Sequence, residues 1–124
     1  MYKRKIKDYD LEQRITIFPF TKHIQPFYSH AQVYVLSSRW EGFGLVLVEA
    51  MSHGLPIVSS NIPSSLEILG DFGIYFENGN VEQLAKRLHD ATKIDWHKKS
   101  AEALSIAKRF DINQIIAQWK AIIS

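Results

Sequence analysis

Short β-branched runs alternate along this chain with stretches whose apolar residues return every three or four positions. That alternation builds α/β layers, in which helices cover a parallel sheet. Residues 3–9 are largely charged and predict a polar helix with little to anchor it. Ile15, Ile17 and Phe18 predict a strand over 15–18, closed by Pro19. A helix follows over 24–31, with Pro26 in its first turn, where a missing N–H costs little. Val33, Tyr34, Val35 and Leu36 predict a strand apolar enough to be buried on both faces, as parallel strands are. The next helix runs from about Gly44 to Ser52, and Gly54 followed by Pro56 marks its end. Strands are predicted over 57–59 and 73–76, with a short helix over 65–69 between them. Beyond Phe76 the pattern is helical, over 81–91, 95–110 and 112–123.

About four parallel strands make roughly half of a doubly wound nucleotide-binding domain, which uses about six in two βαβαβ halves. The predicted fold is therefore α/β, a partial Rossmann-like domain flanked by helices. It is expected to be a single domain over 1–124, closed by helices at about 81–124. The polar first helix has no strand before it to begin a unit, so a further part is expected upstream. With 124 residues, 46% of them hydrophobic, the chain can bury a core but holds one domain at most. A net charge of +2 is too small to suggest a nucleic-acid footprint. The absence of cysteine excludes disulfides, thiolate metal sites and cysteine nucleophiles, and it fits a reducing compartment. The opening MYKRKIKDYD has no apolar core of a secretion signal. The most apolar run, 43–48, is stopped by Glu49, well short of the ~20 residues of a membrane span.

Chemistry concentrates in residues 37–49, SSRWEGFGLVLVE. A strand ends near Leu36, a glycine-bearing turn follows, and a helix begins near Gly44. Open α/β sheets bind ligands just past the carboxyl ends of their strands. A helix N-terminus there offers free N–H groups and a partial positive charge suited to phosphate. Gly42 and Gly44 let a ligand approach the backbone closely. Glu41 in the turn and Glu49 two turns along the helix lie about 10 Å apart. That span suits a sugar at one end and a ribose at the other, because carboxylates accept hydrogen bonds from neighbouring hydroxyls.

The E-x7-E of Glu41 and Glu49, embedded as EGFGLVLVEAM, resembles the donor-binding motif of retaining glycosyltransferases of the GT-B fold, the GT4 family. YSHAQVYVLSSRWEGFG is similar to that family's helix, strand and loop. HGLPIVSSNIPSSLEILGDFGIYFENGNVEQLAKRL is similar to its next strand, short helix, final strand and following helix. The resemblance runs over about 15–88 and implies the C-terminal, donor-binding part of such an enzyme. It implies that Glu41 contacts donor-sugar hydroxyls near the reacting carbon. Backbone N–H groups of Gly42, Phe43, Gly44 and Leu45 would hold sugar hydroxyls and the diphosphate, and Glu49 the ribose hydroxyls. It implies no metal and no cofactor beyond the nucleotide-sugar donor, with the diphosphate neutralised by helix termini and basic side chains. A cytoplasmic protein, or one peripheral at the inner membrane face, follows from the same resemblance.

Departures are informative too. The family's diphosphate-binding Arg and Lys lie upstream of the strand at 15–18, where this sequence has no matching segment. The N-terminal acceptor domain is also outside it, so turnover would need a missing domain or a partner chain. Ser37 stands where Pro is common, and Pro63 and Ser64 where two glycines are. Ser38 and Ser60 end strands facing one crevice and are candidate hydroxyl contacts, and Arg39 is a candidate phosphate contact. His23, His30 and His53 lack metal-ligand spacing, and His53 reads as a polar group closing a helix before Gly54. Two alternatives stand beside sugar transfer. One is a non-enzymatic binding module, or a split-enzyme half with no activity alone. The other is a nucleotide-sugar epimerase of the same architecture, against which the E-x7-E spacing with EGFG argues.

Overall fold

Ile57, Val58, Ser59 and Ser60 are all buried, and they form the middle strand of a three-stranded parallel sheet. The computed structural model describes residues 2–19, 21, 23–38, 45–110 and 120. Its elements run α1 (Tyr2–Asp8), α2 (Gln25–His30), β1 (Tyr34–Leu36), α3 (Leu45–Ser52), β2 (Ile57–Ser60), α4 (Pro63–Leu69), a 3₁₀ turn (Gly70–Phe72), β3 (Ile74–Phe76), α5 (Val81–Ala91) and α6 (Trp96–Arg109). The strand order is β1-β2-β3, with Tyr34 opposite Ile57 and Val58 opposite Ile74. Each parallel pair is joined through a helix, as parallel pairing requires.

Alternation along the strands divides the core between the two faces of the sheet. Leu36 and Ile57 belong to the larger cluster, with Leu47, Ala50 and Met51 of α3, Leu69 of α4 and Ala103 of α6. Val58 and Phe76 face the other way and pack with Ala91 and the half-buried Leu84 of α5. A helix such as α3, apolar on nearly every side, is stable only where neighbours cover it. Here α6 supplies that cover. Lys99 of α6 donates from Nζ to the Phe72 carbonyl at 3.1 Å and lies 4.8 Å from the Phe72 ring centre, tying α6 to the 3₁₀ turn.

The helix ends follow from local chemistry. Asn80 and Asp95 cap α5 and α6, accepting from the backbone N–H groups of Gln83 and Lys98. α3 ends in a Schellman motif: Gly54 N–H donates to the Met51 carbonyl, Leu55 N–H reaches back to Ala50, and Gly54 has φ of 74°. α1 ends the same way with Asp10, φ 54°, in the glycine's place.

Three expectations need correction. The strand predicted over 15–18 is absent: Ile15, Ile17 and Phe18 are exposed, and none of the described strands pairs with them. A β-branched run becomes a strand only where a neighbour completes its ladder, and Phe18 instead packs edge-on against Phe27 at 4.8 Å. Among the described residues the sheet therefore has three strands rather than about four. β1 is not buried on both faces either, since Val35 keeps 39% of its surface exposed. It shares a face with Val58, but α5 packs over β2 and β3. The helix predicted over 112–123 lies outside the described residues. No helix among the described residues is long and apolar enough to cross a membrane.

Candidate functional site

The carboxyl ends of the strands are built from small hydroxyl residues. Ser60 Oγ, at the end of β2, donates to the Ser38 carbonyl at 2.6 Å, closing the gap between β2 and the segment that leaves β1. Ser59 Oγ lies 2.9 Å from both the Ser60 carbonyl and Ser65 Oγ, so this buried hydroxyl is satisfied. Ser38 and Ser60 thus lie side by side at the strand ends. The Ser60 hydroxyl, however, is engaged by backbone and holds the strand ends together. Behind it, Asn61 donates its N–H to the Phe76 carbonyl and accepts from Asn78 N–H, fixing the loop beyond β2 to the end of β3.

Past this point α3 begins at Leu45, which is 40% exposed in its first turn. Glu49 follows one turn on and is exposed, although Ala50 and Met51 beside it are wholly buried. The exposed flank of an otherwise apolar helix therefore carries a carboxylate. Arg39, Glu41, Gly42, Phe43 and Gly44 lie outside the described residues. Of the candidate site residues, the described structure places Ser38, Leu45, Glu49 and Ser60.

What surrounds Glu49 was not legible in its spacing. Tyr28 of α2, only 4% exposed, donates from Oη toward Glu49 Oε2 at 3.4 Å, a long hydrogen bond. Its ring is stacked on the His53 ring, centres 5.1 Å apart, and tilted against Tyr34 at 5.9 Å. His53 Nδ1 lies 2.9 Å from the Glu49 carbonyl, which can only accept, so Nδ1 carries the proton in this contact. The same carbonyl accepts from Ser52 Oγ at 2.6 Å. Glu49 is thus gripped at both ends. Its carbonyl orients the imidazole, the imidazole stacks on the phenol, and the phenol reaches its carboxylate. Burial, with smaller contributions from Tyr34 and Glu49, pushes the Tyr28 hydroxyl up to about 12, so it is a proton donor at neutral pH.

A cleft of about 610 Å³ opens over this group, lined among others by His23, Gln25, Tyr28, Glu49, Ser52 and His53. A signal for Tyr28 was present in principle. It is the one buried residue of α2, and a buried aromatic with a polar tip needs a partner for that tip. Among the described residues no three His, Asp or Glu side chains gather as a metal-binding group.

Comparison with known proteins bears on the family and the fold. Residues 1–109 match the profile of the family described as glycosyl transferases group 1. An uncharacterized glycosyltransferase of Haemophilus influenzae is 29% identical over 126 residues, covering 98% of this chain and 36% of that protein. The O-antigen chain mannosyltransferase B of Escherichia coli is 36% identical over 85 residues, covering 67% of this chain and 22% of that protein. The chain therefore spans about a third or less of the length of these relatives. Among solved structures, TarM superposes with a TM-score of 0.79 at 22% identity, over 97% of this chain and 25% of TarM. That likeness bears on the fold, an α/β part of a GT-B architecture. The family rests on the match over residues 1–109, nearly the whole described structure, and by it the chain belongs to the glycosyl transferases group 1 family.

Proposed function

We propose that this chain is the nucleotide-sugar donor-binding part of a retaining glycosyltransferase that moves a sugar to a hydroxyl acceptor. The observation that carries the reading is Glu49: an exposed carboxylate on a largely apolar helix, next to the wholly buried Ala50 and Met51 and beside a cleft of about 610 Å³, in a chain of a glycosyl transferase family. In this reading Glu49 accepts hydrogen bonds from the ribose hydroxyls of the nucleotide. Backbone N–H groups over 42–45 hold the diphosphate and sugar hydroxyls, and Glu41 contacts the donor sugar near the reacting carbon. Ser38 and Arg39 supply a hydroxyl contact and a phosphate contact in the same reading. Helix termini and basic side chains, rather than a metal ion, neutralise the departing diphosphate. The acceptor attacks from the face the diphosphate leaves, through an oxocarbenium-like transition state, so the anomeric configuration is kept. Acceptor binding comes from a further segment or a partner chain.

An amide-shift titration with UDP, GDP and ADP tests the donor site. One of the three is expected to move the amides of residues 45–53 saturably. Glu49→Ala is expected to weaken that binding about tenfold or more, as for a hydrogen-bonded charge lost from a binding site. A folded chain that binds none of the three refutes the reading. A second reading, a split-enzyme half or binding module without activity of its own, is favoured by the exposed apolar residues around β1. It predicts sugar transfer only when the remaining part of the enzyme is added.

A further inference from the structure

We infer that Tyr28 is a positioning residue, holding the Glu49 carboxylate in the orientation in which it receives the two ribose hydroxyls of a nucleoside diphosphate. The inference rests on the ribose-binding reading of Glu49 and adds a residue 21 positions away on another helix. An exposed glutamate samples several rotamers, and a ligand that needs one of them must order the side chain on binding. A donor fixed by the core removes part of that loss, which is how preorganisation raises affinity.

Tyr28 meets the requirements for such a donor. Its side chain is 4% exposed, so its position is set by packing rather than by solvent. The ring lies between His53 at 5.1 Å and Tyr34 at 5.9 Å, and the imidazole is itself bonded to the Glu49 carbonyl at 2.9 Å. The phenol therefore moves with the backbone turn that carries Glu49. Its hydroxyl addresses Oε2 at 3.4 Å, a single donor at one oxygen, which leaves further acceptor capacity on the carboxylate for the ligand. The contact is long in the unliganded chain, and catalytic and binding hydrogen bonds often tighten only when the ligand arrives.

The test compares ribose with its deoxygenated form. The full chain is titrated calorimetrically with UDP, GDP and ADP, and the one that binds is paired with its 2′,3′-dideoxy counterpart. Wild-type protein prefers the ribose form, and Glu49→Ala removes the preference. Tyr28→Phe is expected to weaken binding of the ribose form about three- to tenfold, the range of one hydrogen bond, while leaving the dideoxy form unchanged. In the Glu49→Ala background it has no further effect on the preference. A purely structural Tyr28 would weaken both ligands equally, and that result overturns the inference, as does an unchanged preference in Tyr28→Phe. If Glu49→Ala keeps the preference, or no nucleotide binds, the ribose reading of Glu49 fails first and takes this inference with it. Should Tyr28→Phe not fold, His53→Leu withdraws the stack but keeps the hydroxyl. It is expected to lower the ribose preference, and an unchanged preference there counts against the inference.

Discussion

A phenol buried between an imidazole and a second phenol, with a carboxylate at its tip, resists ionisation from every side. Removing its proton would place a phenolate in a desolvated site beside Glu49, which is why the Tyr28 hydroxyl stands near 12 rather than 10.0. The folded-state value lies above the unfolded one, so its stabilising contribution is complete below pH 10. Between about pH 10 and 12 the unfolded chain gives up this proton first, the folded chain binds more protons, and stability falls as pH rises. A shift of about two units corresponds to a loss on the order of 2–3 kcal/mol across that window. Urea unfolding at steps from about pH 9 to 11.5 should show the decline, and Tyr28→Phe should flatten it. Some slope will remain, because burial and Asp71 raise the Tyr75 hydroxyl in the same direction. A Tyr28→Phe profile parallel to wild type would show that the phenol titrates freely. This coupling was invisible in the sequence, where Glu49 was legible from its motif but its partner was not. Contacts 21 residues apart, as between Tyr28 and Glu49, have no periodic signature; they exist because β1 and α3 bring α2 alongside.

Elements were read more faithfully than side-chain partners. The extents of β2, β3, α5 and α6 match expectation to within a residue or so, because buried β-branched runs and capped amphipathic stretches are local signals. The Gly54-Leu55-Pro56 ending of α3 was legible for the same reason. Its structure adds a tertiary cause: a Cβ on Gly54 would run into Ser100 Oγ of α6. Two costs therefore separate cleanly. Gly54→Ala must hold a left-handed φ of 74°, worth about 1–2 kcal/mol in an L-residue, and must displace the serine hydroxyl. A total loss of about 2–3 kcal/mol is expected from urea unfolding, of which Ser100→Ala in the same chain restores the steric part but not the backbone part. If Gly54→Ala costs less than about 0.5 kcal/mol, the α3–α6 contact is looser than its geometry indicates. The element that misled was 15–18, where local propensity for a strand is strong but no described strand pairs with it. Propensity proposes a strand; pairing makes one.

At the scale of the molecule, the uneven burial of the sheet sets what the chain does in solution. β2 is covered on both faces, while β1, at the end of the described sheet, leaves Val35 39% exposed. Ile15, Ile17, Phe18, Ile24 and Phe27 are exposed as well, and Phe18, Ile24, Phe27 and Tyr34 help line an apolar cleft of about 390 Å³. Parallel strands are ordinarily covered on both faces, and exposed apolar surface draws other apolar surface onto it. The family relatives carry about two thirds or more of their length beyond the matched region. A second copy of the 124-residue chain offers apolar surface of the same kind. Sedimentation velocity should therefore show reversible association at concentrations on the order of 100 μM, where contacts worth about 5–6 kcal/mol begin to populate a complex. Phe18→Lys combined with Val35→Lys places one charge at the apolar cleft and one on the other face of β1, and is expected to weaken the association at least about tenfold. Tyr28 and Ile24 line both clefts, but Phe18 and Val35 are not among the residues lining the one over Glu49, so nucleotide binding should survive the pair of substitutions. A wild-type chain that stays monomeric at that concentration would mean that these residues are too dispersed to act as one patch. If association persists unchanged in the double variant, the self-contact is made through another face, and β1 no longer accounts for it.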